Sequence, residues 1–204
     1  MASVAPSRAC ALASVSEARR RGGRIRDLLR VSPAVANLSP RDRALATRLA
    51  VGCVRAVGTL DQTIDSHLRR GGHLEPRLRD ALRVATFELL FLNTPAHVAV
   101  SQGVSLAATA SPRARGLANA VLRRIAENDV PAVAAARGRL SGRTHVRAVP
   151  PSPEAGAVSG MCVCPVDEGL VEDVALVAAV PAWLARATID SVGADVACRL
   201  ALSA

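Results

Sequence analysis

Aromatic side chains are scarce in this 204-residue sequence, which contains two Phe, one Trp and no Tyr. Any hydrophobic core must therefore be built from Leu, Val, Ile and Ala, and hydrophobic residues make up 50% of the chain. Such a core suits packed helices better than sheets, because strands favour aromatic and β-branched side chains. The length and the hydrophobic content argue against a disordered chain and allow one sizeable core, alone or with an appendage.

Lysine is missing altogether, so all 26 basic residues are Arg. We attribute the choice of Arg to coding bias, because Ala is abundant as well, but the positive charge itself is informative. Residues 1–147 carry 24 Arg against 10 acidic residues, a balance of +14, whereas residues 151–204 carry 2 Arg against 7 acidic residues, a balance of −5. A basic body with an acidic tail indicates a polyanionic partner for the body, since neutralising phosphates releases counterions.

A regular cysteine framework and a long apolar run are also lacking. The cysteines are odd in number and irregularly spaced, which favours a reducing compartment over disulfide bonding; they are Cys10, Cys53, Cys162, Cys164 and Cys198. Residues 174–184 form the longest apolar run, about half of what a membrane-spanning helix needs, and the N terminus has no apolar core of signal-peptide length. We therefore expect a cytoplasmic protein without a membrane partner.

Helix start and stop signals divide residues 1–128 into segments. Ser39 followed by Pro40 and Asp42 is a strong N-terminal signal, and Gly22 with Gly23 ends the first segment. The predicted helices cover residues 7–21, 24–30, 40–57, a short stretch after residue 58, residues 76–92 and 96–110, and a segment after residue 112. Nothing here alternates like a strand, so the predicted fold class is all-α, a helical bundle.

The C-terminal part of the chain differs in composition. Residues 150–160 hold three Pro, two Gly and two Ser, the composition of a linker. We therefore predict three parts: a helical domain over residues 1–130, an acidic and partly disordered linker over 131–180, and a C-terminal helix over 181–204 with Trp183 near its start.

The segment Arg113 to Ile125 combines an apolar face with a polar stripe. Arg115, Asn119 and Arg123 recur at steps of four residues. On a different face, apolar residues recur at steps of three and four: Ala114, Leu117, Val121 and Ile125. The pattern is compatible with a solvated amphipathic helix or with a helix that contacts a polyanion.

Two further Arg clusters allow the same two interpretations. In the predicted helix over 40–57, Arg41, Arg48 and Arg55 lie seven residues apart and drift only about 20° per step. The apolar face of that helix consists of Leu45, Leu49, Cys53 and Ala56. The end of the first helix carries a third cluster: Arg19, Arg20, Arg21, Arg24 and Arg26. Cations are favourable near a helix C terminus even without a ligand, so position alone does not decide their role.

Four motifs, in order and with matching gaps, resemble the NusB-like RNA-binding domain. They are Leu38-Ser39-Pro40-Arg41-Asp42-Arg43-Ala44, Gly58-Thr59-Leu60-Asp61, Phe87-Glu88-Leu89-Leu90-Phe91 with Pro95-Ala96-His97, and Gly116-Leu117-Ala118-Asn119-Ala120-Val121-Leu122-Arg123-Arg124. The resemblance covers roughly residues 5–128 and is more specific than any one motif. It implies an all-α domain whose partner is RNA, rRNA first of all.

This domain occurs alone, as the transcription antitermination factor NusB, and as the N-terminal part of the rRNA cytosine-5 methyltransferase RsmB. Arg123 and Arg124 stand where the antitermination factor usually has an acidic residue after Val-Leu, and residues 180–184 resemble the segment that leads to the catalytic domain of the methyltransferase. The resemblance is therefore closest to the methyltransferase branch, with the chain stopping before the catalytic domain. The alternatives are an antitermination factor with a ribosomal-protein partner, or a truncated chain with neither role.

The resemblance implies RNA binding without catalysis. Such methyltransferases bind S-adenosylmethionine at a Gly-rich turn and use a Cys nucleophile in a Pro-Cys setting with a second Cys in Thr-Cys-Ser. Neither setting occurs, and Cys164 precedes Pro165 instead of following a Pro, so we expect no enzyme activity and no cofactor. Cys162 and Cys164 could supply two metal ligands, but no second pair follows at a suitable spacing, so no metal site is predicted.

Phosphate contact is the role that the resemblance implies for the Arg clusters, because guanidinium forks match phosphate oxygens. For Asn119 a helix-packing hydrogen bond is favoured over an RNA contact, and His97 is interpreted as a turn residue, not as a catalytic base. The few aromatic residues favour recognition of RNA shape and backbone over base stacking. The candidate RNA-binding residues are Arg19, Arg20, Arg21, Arg24, Arg41, Arg48, Arg55, Arg115, Asn119, Arg123 and Arg124.

Overall fold

The computed structural model describes residues 4–68, 74–144 and 167–203, and all regular secondary structure in these ranges is helical. The predicted all-α class is thereby confirmed. The chain divides into two compact units, Met1–Pro131 and Ala132–Ala204. The α-helices are α1 Pro6–Arg21, α2 Ile25–Val31, α3 Pro33–Ala36, α4 Pro40–Arg55, α5 Val57–Ser66, α6 Pro76–Phe91, α7 Ala96–Ala110, α8 Arg115–Arg124, α9 Val130–Thr144, α10 Glu168–Ala178, α11 Ala182–Val192 and α12 Ala194–Ser203.

Helix α6 is the centre of the first unit. Eleven of its sixteen residues are buried, and it contacts α1, α4, α5, α7 and α8. A helix that is apolar on most of its circumference belongs in the middle of a bundle. The Phe87 and Phe91 rings lie along this helix with their centroids 5.3 Å apart and their planes tilted by 37°, and Leu82 of the same helix is fully buried.

The capping residues predicted from the sequence lie at the start of α4 and at the end of α1. The Ser39 hydroxyl oxygen accepts a hydrogen bond from the Asp42 amide at 3.1 Å, which fixes the start of α4. Gly22 ends α1 in the left-handed region at φ 67°, a conformation that costs glycine little. Of the apolar face predicted for this helix, Leu49, Cys53 and Ala56 are buried and Leu45 is half-buried. Helix α4 ends at Arg55, two residues before the predicted end, and Ala56 is its C-cap.

Helices α6, α7 and α8 pack closely around Gly103. A Cβ atom at Gly103 would lie 2.6 Å from the Ala85 Cβ of α6 and 2.7 Å from the Leu122 Cδ1 of α8. No side chain fits at such distances without displacement of a neighbour, so glycine lets three helix backbones approach one another. Leu106 and Ala107, one turn further along α7, are buried in the same interface.

Helix α8 and the turn after it bury most of the predicted apolar face. Ala114, Val121 and Ile125 are buried, but Leu117 is 41% exposed, and Ala118 and Leu122 are fully buried in addition. The buried face is thus shifted towards Leu122, which lies beside Gly103 at the close approach of the three helices. A π-helical turn, Ile125–Asp129, follows α8, and its last side chain approaches His67 with 2.6 Å between Asp129 Oδ2 and His67 Nε2.

The predicted division of the C-terminal part needs correction. Within the predicted linker 131–180, the described residues form most of α9 and all of α10. These helices bury their own apolar rows, and Leu140, Leu170, Val174 and Val177 share one core. The linker composition of residues 150–160 led the prediction to include both flanks, although α9 and α10 together hold one Pro. Residues 150–160, whose composition suggested a linker, lie outside the described residues.

The predicted C-terminal helix over 181–204 is two helices. Gly193, at φ 81°, ends α11 and separates it from α12, because a positive φ interrupts the helical path.

Ion pairs join α9 to α10: Arg139 Nη2 lies 2.5 Å from Asp173 Oδ1, and Arg143 Nη2 lies 2.7 Å from Asp167 Oδ2. The acidic character of this unit is thus partly neutralised by its own arginines.

Candidate functional site

A groove of about 650 Å³ lies between α7 and the α8 segment of the first unit. Helix α7 contributes His97, Val100, Ser101 and Val104, whereas the opposite wall is formed by Arg115, Asn119, Arg123 and Glu127. Pockets of about 300–1,000 Å³ that combine apolar lining with a few polar groups are the usual form of a ligand site.

The step of four residues predicted for α8 builds this wall. Residues four apart lie on the same helix face, about 6 Å apart along the axis at 1.5 Å per residue. Arg115, Asn119 and Arg123 therefore follow one another along the groove, and Glu127 in the π-helical turn continues the row. Arg115, Asn119 and Arg123, which the sequence placed on one helix face, thus line the same wall of the groove.

The polar groups of this wall are available to a ligand. Arg115 and Arg123 are exposed, and neither forms an ion pair with another described residue. Asn119 is half-buried and makes no hydrogen bond to any residue in the described ranges, so the packing role favoured for it from the sequence is not what the structure shows. Its carboxamide keeps two donors and two acceptor lone pairs for an external group.

The Arg stripe of α4 lies elsewhere on the first unit. Arg41, Arg48 and Arg55 are all exposed, and α4 packs on α1, α2 and α6, whereas the groove is formed by α7 and α8. The structure therefore keeps the α4 stripe and the groove as separate basic surfaces. On neither surface is an Arg side chain in an ion pair with a residue that the structure describes.

The Arg cluster at the end of α1 is heterogeneous. Arg19 Nε donates to the fully buried Asp80 carboxylate at 2.9 Å, and the Arg19 side chain is only 40% exposed. Arg20 and Arg21 both pair with Glu17 and are about two-thirds exposed. Arg24 is exposed, as is Arg26. Arg19 is thus committed to the protein interior, whereas the others keep exposed guanidinium groups.

Arg124, the last candidate, points towards the end of α5. Its Nη1 lies 3.5 Å from the backbone carbonyl oxygen of His67, a long contact that leaves the exposed guanidinium largely free. Arg124 does not line the groove. The Arg123-Arg124 pair is therefore divided between the groove and its flank.

Two charged residues of the sequence motifs have structural roles. Asp61 receives two hydrogen bonds from Arg83, at 2.8 Å from Nε and 2.6 Å from Nη2, and Arg79 Nη1 approaches it at 3.3 Å. Burial by itself would raise the pKa of Asp61, but the hydrogen bonds and charges of Arg83 and Arg79 outweigh it and hold the pKa below its ordinary value. Glu88 is likewise paired inside the bundle, with Arg8.

Sequence reasoning missed Glu127 and the α7 wall. Glu127 continues the step of four from Arg115, so its position could have been found had the row been extended past Arg124. Ser101 and Val104 carried no such signal, because which face of α7 meets α8 depends on the packing at Gly103. His97, interpreted as a turn residue, lies in the first turn of α7 and also lines the groove.

Two negative findings apply to the described ranges alone. They contain no group of three or more His, Cys, Asp and Glu side chains that could hold a metal ion, and Cys162 and Cys164 lie outside them. None of the helices described is both long and apolar enough to cross a membrane.

The helical fold of the first unit and the four motifs found in its sequence define a class of all-α domains. The chain belongs to the NusB family, whose model matches residues 6–127. Ribosomal RNA small subunit methyltransferase B of Thermus thermophilus is 39% identical over 124 residues, which are 61% of this chain and 31% of that protein. A protein of Mycobacterium tuberculosis named as a methyltransferase is 34% identical over 158 residues, 76% of this chain and 29% of that protein. The chain thus spans less than a third of the length of these curated relatives.

Proposed function

We propose that this chain binds RNA through the groove between α7 and α8. The observation that carries the proposal is the row Arg115, Asn119 and Arg123 along one wall, whose side chains make no ion pair or hydrogen bond to another residue that the structure describes. Guanidinium groups without a protein partner suit phosphate oxygens, to which they donate charge-assisted hydrogen bonds. The free carboxamide of Asn119 adds donors and acceptors for a sugar or a base.

The other exposed arginines extend the proposed interface by binding phosphates. Arg41, Arg48 and Arg55 line α4, and Arg20, Arg21 and Arg24 lie at the end of α1. Contacts to phosphates position an RNA without reading its sequence. We leave Arg19 out of this interface, because its guanidinium is committed to the buried Asp80.

Ribosomal RNA is the RNA that we favour. Of the two relatives described above, one is named for methylation of small-subunit ribosomal RNA and the other as a methyltransferase. The mycobacterial match is 158 residues long and so extends past the residues that the family model covers, which favours the methyltransferase branch over a free-standing antitermination factor. The role that we propose for these residues is binding; methyl transfer is the activity named for the relatives.

A salt series tests the proposal on the full chain. Fluorescence anisotropy would measure binding to labelled small-subunit rRNA fragments and to an antiterminator RNA at increasing salt. The double variant Arg115→Gln with Arg123→Gln should lower the slope of log affinity against log salt by roughly 0.7 for each phosphate that the protein no longer neutralises. Affinity at low salt should fall at least about tenfold, the value of one charge-assisted hydrogen bond.

A charge-matched control removes two arginines outside the proposed interface. Arg77 on α6 and Arg199 on α12 are exposed, and Arg77→Gln with Arg199→Gln changes the net charge equally. Equal reductions in affinity for the two double variants would show that only net charge matters and would overturn the groove as the site. Weak binding that any polyanion displaces equally would overturn specific recognition of RNA, and a preference for the antiterminator RNA would overturn the assignment to rRNA.

A further inference from the structure

Glu127 places a carboxylate in a groove that is otherwise cationic or neutral. It lines the same wall as Arg115 and Arg123, is exposed, and forms neither an ion pair nor a hydrogen bond with another described residue. Arg123 precedes it by four residues, a spacing that permits an ion pair on a helix, yet no such pair forms. The Glu127 carboxylate is therefore directed to the groove instead of neutralising its neighbour.

A carboxylate at this position selects against phosphate and in favour of N–H donors. An ionised carboxylate only accepts hydrogen bonds, and its two oxygens suit two parallel donors. Among the RNA bases, guanine alone presents two adjacent donors on its Watson–Crick edge, N1–H and the N2 amino group. Adenine and cytosine each present one amino donor beside an acceptor, and uracil presents one N–H between two acceptors. Bases in single-stranded RNA are read on these edges.

The rest of the groove fits the other parts of such a nucleotide. Val100 and Val104 offer apolar surface on the α7 wall, where a base can lie without an aromatic partner. Arg123 precedes Glu127 by four residues on the same wall of the groove, one at the end of α8 and the other in the π-helical turn. It can reach the phosphate next to a base that is held at Glu127, or stack its planar guanidinium on that base. A cation and an acceptor at this separation match the charge pattern of one nucleotide.

We propose that Glu127 makes the groove selective for an unpaired guanine, whose N1–H and N2 amino group donate to the carboxylate. This inference rests on the proposed RNA-binding function and names the nucleotide that the groove takes. A bidentate contact of this kind corresponds to a preference of about tenfold to a hundredfold over the wrong base. Arg115 and Arg123 supply affinity, whereas Glu127 supplies selectivity.

Single-stranded oligonucleotides test the selectivity on the full chain. The probes are short oligouridylates that carry one central guanine, adenine, cytosine or inosine, with the unsubstituted oligouridylate as reference. Inosine keeps N1–H and lacks the N2 amino group, so it removes one of the two donors. We expect guanine to bind best by about tenfold or more, inosine to bind at an intermediate level, and the other probes to bind like the reference.

Substitution of Glu127 assigns the selectivity to its carboxylate. Glu127→Gln should reduce the guanine preference to less than about threefold, while its binding to the oligouridylate stays equal or rises because a negative charge is removed. Glu172→Gln, at an exposed position of α10, removes the same charge elsewhere and should keep the preference. Far-UV circular dichroism of each variant confirms that helicity is unchanged.

The outcomes separate this inference from the proposed function. Steeply salt-dependent binding of all probes with no guanine preference in the wild type would leave the RNA-binding groove standing and overturn the selectivity. A guanine preference that survives in Glu127→Gln would overturn the role of the carboxylate. Absence of binding to every RNA in the wild type would overturn the proposed function itself, and with it the inference.

Discussion

Arg8 and Glu88 are separated by 80 positions in the sequence and form a two-point ion pair inside the first unit. Arg8 Nε donates to Glu88 Oε2 at 2.8 Å and Nη2 donates to Oε1 at 2.5 Å. The Thr94 hydroxyl also donates to Oε1, at 2.8 Å. Only 1% of the Glu88 side chain and 11% of the Arg8 side chain are exposed. The pair therefore ties the start of α1 to the end of α6 with its charges almost removed from water.

Removal of the Arg8 guanidinium should strongly destabilise the protein. In Arg8→Met the Glu88 carboxylate keeps its burial and loses its counter-charge, and breaking one partner of a buried pair costs about 3–5 kcal/mol. Urea unfolding followed by far-UV circular dichroism measures the decrease in stability. Arg20→Met is the matched control on the same helix, since Arg20 pairs with Glu17 but is 67% exposed. It should cost at most about 1 kcal/mol, and similar costs in both variants would contradict the structural role of Arg8.

The close approach of three helices at Gly103 predicts a second pair of variants. Gly103→Ala forces a Cβ to within 2.6 Å of the Ala85 Cβ, and overpacking of a core costs about 1–3 kcal/mol. Gly116→Ala on α8 meets no atom within 4 Å and should gain up to about 1 kcal/mol from helix propensity. Because both substitutions gain propensity, the difference between their unfolding free energies measures the packing. Equal stabilities would show that α7 can move away from its neighbours.

The local features of this fold could be predicted from the sequence, because capping and helical periodicity act within one or two turns. Ser39 and Gly22 mark helix ends correctly, and the row Arg115, Asn119 and Arg123 forms one wall as its spacing indicates. Which face a helix buries is not local. Leu117 and Leu122 are both apolar and lie on one helix, and the space beside Gly103 decides that Leu122 is the buried one.

Long-range partners explain the remaining differences between prediction and structure. Arg19 is one of several similar arginines in the sequence, and only the fold brings Asp80, 61 positions away, to its Nε. The same holds for Asn119: the sequence does not show that it faces α7 across a groove and makes no hydrogen bond within the described ranges. Helices α9 and α10 escaped prediction because the linker composition of residues 150–160 was extended over both flanks, although apolar rows such as Leu170, Val174 and Val177 lie outside that stretch.

Cys53 predicts a decrease of stability at alkaline pH. Burial raises the pKa of its thiol from 9.0 to about 12 in the folded protein. Between pH 9 and about 12 the folded state keeps the proton that the unfolded state releases, so stability falls as pH rises through this window. Below pH 9 the thiol is protonated in both states, so its titration lowers no stability there. Within the window the free energy of unfolding falls by roughly 1 kcal/mol per pH unit.

Urea unfolding of the wild type and of Cys53→Ala across this pH range measures the contribution. The variant should show a shallower decline of unfolding free energy with pH, whatever its absolute stability. Cys10→Ala is the comparison: burial raises the pKa of the Cys10 thiol as well, but this side chain is only partly buried, so its decline should lie closer to that of the wild type than the decline of Cys53→Ala does. Parallel curves for wild type and Cys53→Ala would contradict the burial of this thiol as an un-ionised group.

Trp183 and Ile189 lie on the same helix, α11, and face different environments. Trp183 is 70% exposed, whereas Ile189 is 7% exposed and belongs to the core of the second unit. Trp183→Ala should therefore change the unfolding free energy by no more than about 0.5 kcal/mol. Ile189→Ala should cost about 2–5 kcal/mol, because it removes buried atoms and leaves a cavity.

The exposed Trp183 also makes fluorescence a direct readout of this face, since it is the single Trp of the chain. Its emission in the native protein should be close to that of the unfolded chain, and a neutral quencher should reach it in both states. Far-UV circular dichroism on the same samples should report a large decrease in helix content. A strong red shift of the emission on unfolding, or a large destabilisation in Trp183→Ala, would mean that the indole is covered in solution. The order of effects, with Ile189 large and Trp183 small, follows from burial alone, because the two side chains are only six residues apart on one helix.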